Sequence, residues 1–209
     1  MILVAISTPC QMEFLNIFLS SIKDDWEIDI QIKKLKQGIF RSHEFNEFVK
    51  EKNQKVVHYL ERNETVIMSD TDIEFFKPTQ PLIDEALKKH DLLFQAGRVD
   101  PDKWKPGDRV NTGFIVIKPT QANIDLFKTA IANPNGTFEH EFNKILNVIG
   151  TPHGVLPIQF WKLHFSHIPK SMVMHHAVLM GEKAAENRME KRNQFKLQDM
   201  ERIRCMITQ

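Results

Sequence analysis

Apolar residues in this chain fall into two patterns: short unbroken runs, and longer stretches where they recur every three or four positions. Ile2 to Ile6 is an unbroken run, as expected of a central parallel strand covered on both faces. Phe14, Leu15, Phe18, Leu19 and Ile22 follow at helical spacing, after Thr8 as N-cap, Pro9 at the first helical position and Gln11 placed to close a capping box. Trp26, Ile28, Ile30 and Ile32 then alternate with polar residues, the mark of a strand with one wet face. A basic connector, 33–42, contains Gly38 and Arg41. It leads to a helix over Ser42 to Arg62 with Phe45, Phe48, Val49, Val56 and Leu60 inward.

The second half repeats the alternation. Val66 to Met68 is a buried strand, Pro81 to Lys89 a short helix, and Asp91 to Gln95 another strand. A polar loop over 96–109 holds Gly97, Pro101, Pro106 and Gly107, and a loop this long in a compact domain is usually functional. Asn111 to Pro119 reads as a strand with a polar head, Gln121 to Ala132 as a helix, 133–136 as a turn and Glu139 to Val148 as a helix. Val155 to Trp161, His164 to Ile168 and Met172 to Ala177 read as short strands, and from Glu182 to about Met206 the chain is charged and rich in helix formers. Strands alternating with helices predict an α/β fold, and no linker divides residues 1–209, so one domain is expected.

The chemistry is most legible after the Val66 strand. It runs into Ser69, and two carboxylates follow at Asp70 and Asp72 before Ile73, Phe75 and Phe76 bury the chain again. Residues i and i+2 of an extended segment point the same way, so the two acids emerge together where a strand reaches the surface. Carboxylates that close repel unless a cation lies between them, and hard oxygen ligands suit Mg²⁺ or Mn²⁺. Ligands of open α/β sheets bind at the carboxyl ends of strands, which is where this pair falls.

Composition narrows the picture. A net charge of +1 gives no reason to invoke nucleic acid as a partner, and no apolar run is long enough to span a bilayer. The two cysteines, Cys10 and Cys205, do not make a disulfide framework, and the N-terminus lacks the basic lead of a signal peptide, so a cytoplasmic protein is expected.

Two further clusters carry candidate chemistry. Met174-His175-His176-Ala177 is a strand-like delivery of two imidazoles, and strand alternation lets at most one of them reach a metal. Gly181 and Lys183 follow, a close-approach residue and a cation suited to phosphate. Asn111-Thr112-Gly113 opens a strand with a glycine, which marks either a bulge or the close approach of a ligand.

Together, Ser69-Asp70-Thr71-Asp72, Asn111-Thr112-Gly113-Phe114 and His176-Ala177 with Gly181 and Lys183 resemble the nucleotide-diphospho-sugar transferases, D-x-D glycosyltransferases of the GT-A fold. The layout is similar to glycogenin-like enzymes and to large algal-virus capsid glycosyltransferases, and the resemblance spans nearly the whole chain. It implies a mostly parallel twisted central sheet with helices on both faces. It further implies that Asp70, Asp72 and His176 hold Mn²⁺ (or Mg²⁺) and that Asp70, Thr71, Asp72, Gly181 and Lys183 engage the diphosphate of a UDP-sugar. Asn111 and Gly113 would face the donor sugar, and Ser7, Thr8 and Pro9 the uracil ring. Asp70, Asp72 and Lys183 would be the catalytic groups, the acceptor a glycan or glycoprotein, the outcome retention, and a viral enzyme would work in the host cytoplasm. Two rival classes share parts of the pattern. A haloacid-dehalogenase-type phosphohydrolase also places D-x-D after a buried strand, though there the pair lies on the first strand. A sugar-nucleotide-binding module without activity is the other.

Overall fold

The computed structural model describes the chain except residues 37, 38, 41, 133–137, 163–166, 180, 208 and 209. The strands are β1 (Ile2–Ser7), β2 (Glu27–Ile32), β3 (Val66–Ser69), β4 (Ile73–Phe75), β5 (Leu92–Ala96), β6 (Val110–Ile117), β7 (Gly154–Val155), β8 (Phe160–Lys162) and β9 (Met174–His176). The helices are α1 (Met12–Ser21), α2 (His43–Glu61), α3 (Gln80–Leu87), α4 (Gln121–Ala132), α5 (Phe138–Ile149), α6 (Gly181–Ala184) and α7 (Met189–Ile207).

The main sheet has the order β2-β1-β3-β6-β5-β7, and only β6 runs against its neighbours. Period-two alternation divides its side chains between two cores. Ile2, Val4, Val66, Met68, Ile115 and Ile117 face α2, α4 and α5 through Val56, Leu60, Phe127 and Phe142. Leu3, Ala5, Ile67, Phe114 and Val116 face α1 and α3 through Leu15, Phe18, Ile83 and Leu87. This is the mostly parallel sheet, helix-covered on both faces, of the GT-A fold.

A second sheet, β4-β9-β8, starts where β3 ends. α7 docks on it along one face: Lys196 on Asp72, Asp199 beside His175, Arg204 Nε donating to Glu74 at 2.7 Å, and Met200 and Ile203 fully buried among them. The spacing of 196, 199/200, 203 and 204 is that of a single helical face.

Several local readings are corrected. Pro9–Gln11 forms a 3-10 turn rather than the first turn of α1, and no capping box closes; Thr8 Oγ1 donates to Gln11 Oε1 at 3.0 Å instead. The isoleucine row of β2 is only partly covered, because β2 is an edge strand: Ile28 and Ile32 are 42% and 52% exposed. Val155 to Trp161 is not one strand. Pro157 cannot donate to a ladder, the chain turns there, and the two halves join different sheets as β7 and β8. The 133–136 turn, most of the His164–Ile168 strand, and Gly38 and Arg41 of the connector lie outside the described residues. The helix expected over Ser42 to Arg62 is α2, with Ser42 Oγ accepting from the Phe45 N–H at 3.2 Å.

If α7 is held by this buried face, Ile203→Ala should lower the unfolding free energy by about 2–4 kcal/mol, whereas Val148→Ala on α5, 80% exposed, should change it by less than about 0.5 kcal/mol. Urea denaturation of the two variants checks this.

Candidate active site

β3 belongs to the main sheet and β4 to the small one, so residues 70–72 form the step between them. Two backbone bonds fix the step: the Asp70 N–H donates to Gly113 O at 2.7 Å, and the Ala177 N–H to Asp72 O at 2.9 Å. β4 pairs antiparallel with β9, which sets Ile73 opposite His176 and brings the imidazole beside both carboxylates. The step is a bend rather than extended chain, yet both acids still face the same imidazole. Asp70, Asp72 and His176 each offer one ligand atom, and these lie within 4.8 Å of one another.

Each carboxylate is divided between two partners. One oxygen takes a lysine: Lys52 Nζ donates to Asp70 Oδ1 at 2.6 Å, and Lys196 Nζ donates to Asp72 Oδ2. The other oxygen faces His176 Nε2, at 4.0 Å from Asp70 Oδ2 and 3.5 Å from Asp72 Oδ1. Burial opposes the charge of Asp72, but Lys196 and then His176 more than offset it and hold this carboxyl well below the usual carboxylate range.

The imidazole is set from behind. Gln95 is buried at the end of β5; its amide nitrogen donates to Phe160 O at 3.0 Å, which leaves its oxygen 2.7 Å from His176 Nδ1. An amide oxygen only accepts, so Nδ1 donates to it and Nε2 is the ring nitrogen turned toward the carboxylates. Space for the ring comes from Gly113. A Cβ there would stand 2.2 Å from His176 Cε1 and 2.9 Å from Asp70 Oδ2. Gly113 sits in a bulge of β6, where pairing with β5 jumps from Phe94–Ile115 to Gln95–Asn111, and the Asn111 carboxamide oxygen accepts the Gly113 N–H at 3.0 Å. Of the two readings of the Asn111–Gly113 segment the bulge is the one seen, and what approaches its glycine is the chain's own His176 and Asp70.

His175 points the other way. It is fully buried, its ring lies 5.3 Å from the Trp161 ring, and its Nε2 is 3.2 Å from Asp199 Oδ2 on α7 without hydrogen-bond alignment.

Three spaces share Asp70 in their linings, and two of them also reach Lys196 and Arg192. A small one, about 100 Å³, is walled by Ile6, Phe40, Phe45, Phe48 and Val49, with Thr71, Arg192 and Asn193 at its polar end. The Arg192 guanidinium lies 3.8 Å over the Phe40 ring, which leans on Phe45 at 4.9 Å. A wider cleft, about 420 Å³, is lined by Arg98, Arg109, Asn111, Glu139, Lys162, His176 and Lys196 among others. Glu139, at the start of α5, accepts from Arg109 at 2.6 Å and from the Asn111 amide at 3.1 Å. Lys162 is buried; burial pushes its amine down to about 7, with Arg109 and Arg98 adding to the effect and Glu139 opposing it.

The remaining expected residues lie at the margin. Ser7 and Thr8 are buried behind the smaller space and Pro9 is exposed, while their neighbours Ile6 and Gln11 line it. Gly181 opens α6, and Lys183 on the same helix rests 5.2 Å over the Phe195 ring rather than on the carboxylates. The sequence reading missed Lys52, Lys196, Gln95 and the role of Glu139.

The donor set suits a divalent cation. Ligand pairs of an octahedral ion with bonds of about 2.1 Å are separated by about 3 Å when adjacent and about 4.2 Å when opposite. The 3.5 and 4.0 Å separations to His176 Nε2 fall in that range while both lysines keep their oxygens.

Fold and centre together define a class: a GT-A sheet whose third strand delivers an Asp-x-Asp pair to a histidine from a neighbouring sheet. The chain matches the nucleotide-diphospho-sugar transferase family over residues 10–190 and belongs to it. Its fold is similar to that of a solved glycosyltransferase involved in the glycosylation of the major capsid of PBCV-1, with a TM-score of 0.56 and 12% identity over 93% of this chain and 98% of that one. No curated protein sequence matches. Among the described residues no helix is long and apolar enough to cross a membrane.

Two substitutions test the geometry without ligand. Gly113→Ala should cost about 1–3 kcal/mol by crowding the His176 ring, read by thermal or urea unfolding. Gln95→Leu should release the tautomer, so that ¹⁵N spectra of His176 move from an Nδ1–H form to a mixture; an unchanged spectrum would contradict the assigned role.

Proposed function

We propose that this chain transfers a hexose-type sugar from a UDP-sugar to a hydroxyl of a glycan or glycoprotein, with Mn²⁺ or Mg²⁺ held by Asp70, Asp72 and His176. The observation that carries this reading is the convergence of three ligand atoms from β9 and the β3–β4 step on a cleft large enough for a sugar. Family membership supports the sugar-nucleotide class, and the donor set supports the metal.

Breaking an anomeric C–O bond puts negative charge on the leaving diphosphate and positive charge on the ring. A divalent cation in this centre supplies Lewis-acid stabilisation of the leaving oxygens. Lys52 and Lys196 flank the carboxylates and place further positive charge where the diphosphate charge develops. Lys183 lies at the rim on α6, whose Ala184 lines the cleft, and adds a cation there. The uracil ring enters the small apolar space between Ile6 and the Phe40–Phe45 pair, against Thr71 and Asn193, beyond the β1 end at Ser7, Thr8 and Pro9. Arg192, stacked over Phe40, lines that space, where excluding water would limit hydrolysis of the donor. Asn111 holds both the Gly113 bulge and Glu139, so Glu139 stands in the cleft as a fixed carboxylate for the positive charge of the ring. A retaining outcome fits the resemblance to glycogenin-like enzymes.

Asp70→Asn, Asp72→Asn and His176→Ala should each weaken Mn²⁺-dependent UDP binding by at least about tenfold, or about 1.4 kcal/mol. His175→Ala should leave that binding near the wild-type value while lowering stability, since its ring packs on Trp161. Calorimetry with Mn²⁺ and with EDTA checks both. Tight UDP binding that survives EDTA would remove the metal from the account. Release of UDP from UDP-glucose separates an enzyme from a binding module.

A further inference from the structure

Among the described residues β2 is the one long strand with an open edge: it pairs with β1 on one side and with no strand on the other. The other edge strands, β4, β7 and β8, are only two or three residues long, and very short edges offer a poor template for pairing. Longer edges are commonly blunted by a lysine or proline in the strand or by a bulge. β2 contains neither residue, and its register with β1 runs unbroken from Glu27 to Ile32. The charge at its middle, Asp29, is taken up by Lys55 Nζ at 2.7 Å and by the Tyr59 hydroxyl at 2.9 Å.

The bonds to β1 fix what this edge offers. The Glu27 N–H donates to Met1 O at 3.3 Å and the Lys33 N–H to Ser7 O at 2.9 Å, so the odd-numbered residues turn their backbone polar groups toward β1. Ile28, Ile30 and Ile32 therefore turn theirs outward. In an antiparallel ladder two opposed residues exchange both bonds only when the groups of each face the seam. Two copies of β2 meet that condition about a two-fold axis at Ile30. Ile30 then lies opposite the partner's Ile30, and Ile28 opposite the partner's Ile32. The side chains agree with the backbone. Ile28 and Ile32, 42% and 52% exposed, meet on one face of the joined sheet. On the other face Asp29 lies opposite the partner's Gln31, and Glu27 opposite the partner's Lys33. A shift of one residue sets the isoleucines against polar residues.

We infer that β2 docks on β2 of a second copy of this chain, antiparallel about Ile30, and joins the two main sheets into one. Self-complementarity selects a second copy over any other strand: an acid and a base stand equally far from the axis, at Glu27 and Lys33. Lys33 also donates to Glu51 on α2, so its ammonium serves two carboxylates. None of these residues lines the spaces around Asp70, and the inference does not depend on the donor reading.

Sedimentation equilibrium of the full chain tests it, with a concentration-dependent monomer–dimer equilibrium as the expected result. Ile32→Lys, at an exposed position, should abolish the dimer and leave the thermal unfolding of the monomer near the wild-type value. Glu27→Lys sets two lysines opposite each other at both ends of the seam, and Lys33→Glu sets two acids there. Each should weaken dimerisation about tenfold. An equimolar mixture of these two variants should restore it as a heterodimer, because each end then holds one acid and one base. Should Lys33→Glu fail to fold beside Glu51, Ile32→Lys and Glu27→Lys carry the test. A chain that stays monomeric up to its solubility limit overturns the inference. A dimer that survives Ile32→Lys overturns it as well, since the contact then lies elsewhere. A mixture of the two charge variants no more dimeric than either alone removes the register, and the inference with it.

Discussion

The active centre depends on one missing atom. The His176 ring and an Asp70 oxygen occupy the space where residue 113 would carry its Cβ. Any side chain there separates the imidazole from the carboxylates, so the site requires glycine on a central strand, where glycine is otherwise unfavourable. The bulge in β6 and the Asn111 carboxamide that accepts the Gly113 N–H follow from this need. So does the bond from the Asp70 N–H to the Gly113 carbonyl, which ties the first of the two acids to the same residue. Gln95 completes the constraint from the opposite side, by fixing which imidazole nitrogen turns inward.

The second dependence is electrostatic. Two acids and a histidine in partly buried surroundings would repel or desolvate one another without cations nearby. Lys52 comes from α2, and Lys196 comes from α7, more than a hundred residues later in the chain. The helix that closes the fold on the small sheet therefore also sets the charge of the site. Arg204 on Glu74 and Asp199 beside His175 extend the same contact along α7, one helical turn at a time.

Much of this was legible in the sequence, for local reasons. An unbroken apolar strand followed by Asp-x-Asp announces a strand end with two acids, and that is where they lie. Alternation lets the two-histidine strand deliver one imidazole to the carboxylates, and it sends His176 there and His175 to α7. What the sequence hid is non-local. Lys52 falls on the inward row of α2 between Phe48 and Val56, and Lys196 falls on the inward row of α7 between Asn193 and Met200; a lysine on a buried stripe was the available signal. Gln95 ends an apolar strand with a polar side chain, but its partner is 81 residues away. The run from Val155 to Trp161 reads as one strand because only single residues, Pro157 and Gln159, interrupt its apolar pattern, and they mark where the chain leaves one sheet for the other.

The central claim is that Asp70, Asp72 and His176 Nε2 form a single divalent-metal centre at which a nucleotide diphosphate binds. A crystal structure of the chain with Mn²⁺ and UDP, with the ion located by anomalous scattering, tests it most directly. The account predicts one Mn²⁺ bonded to a carboxylate oxygen of each aspartate, to His176 Nε2 and to the diphosphate, with His176 Nδ1 still on Gln95. An ion bound elsewhere, or UDP seated in the cleft with Asp70 and Asp72 bonded to the lysines alone, would contradict it.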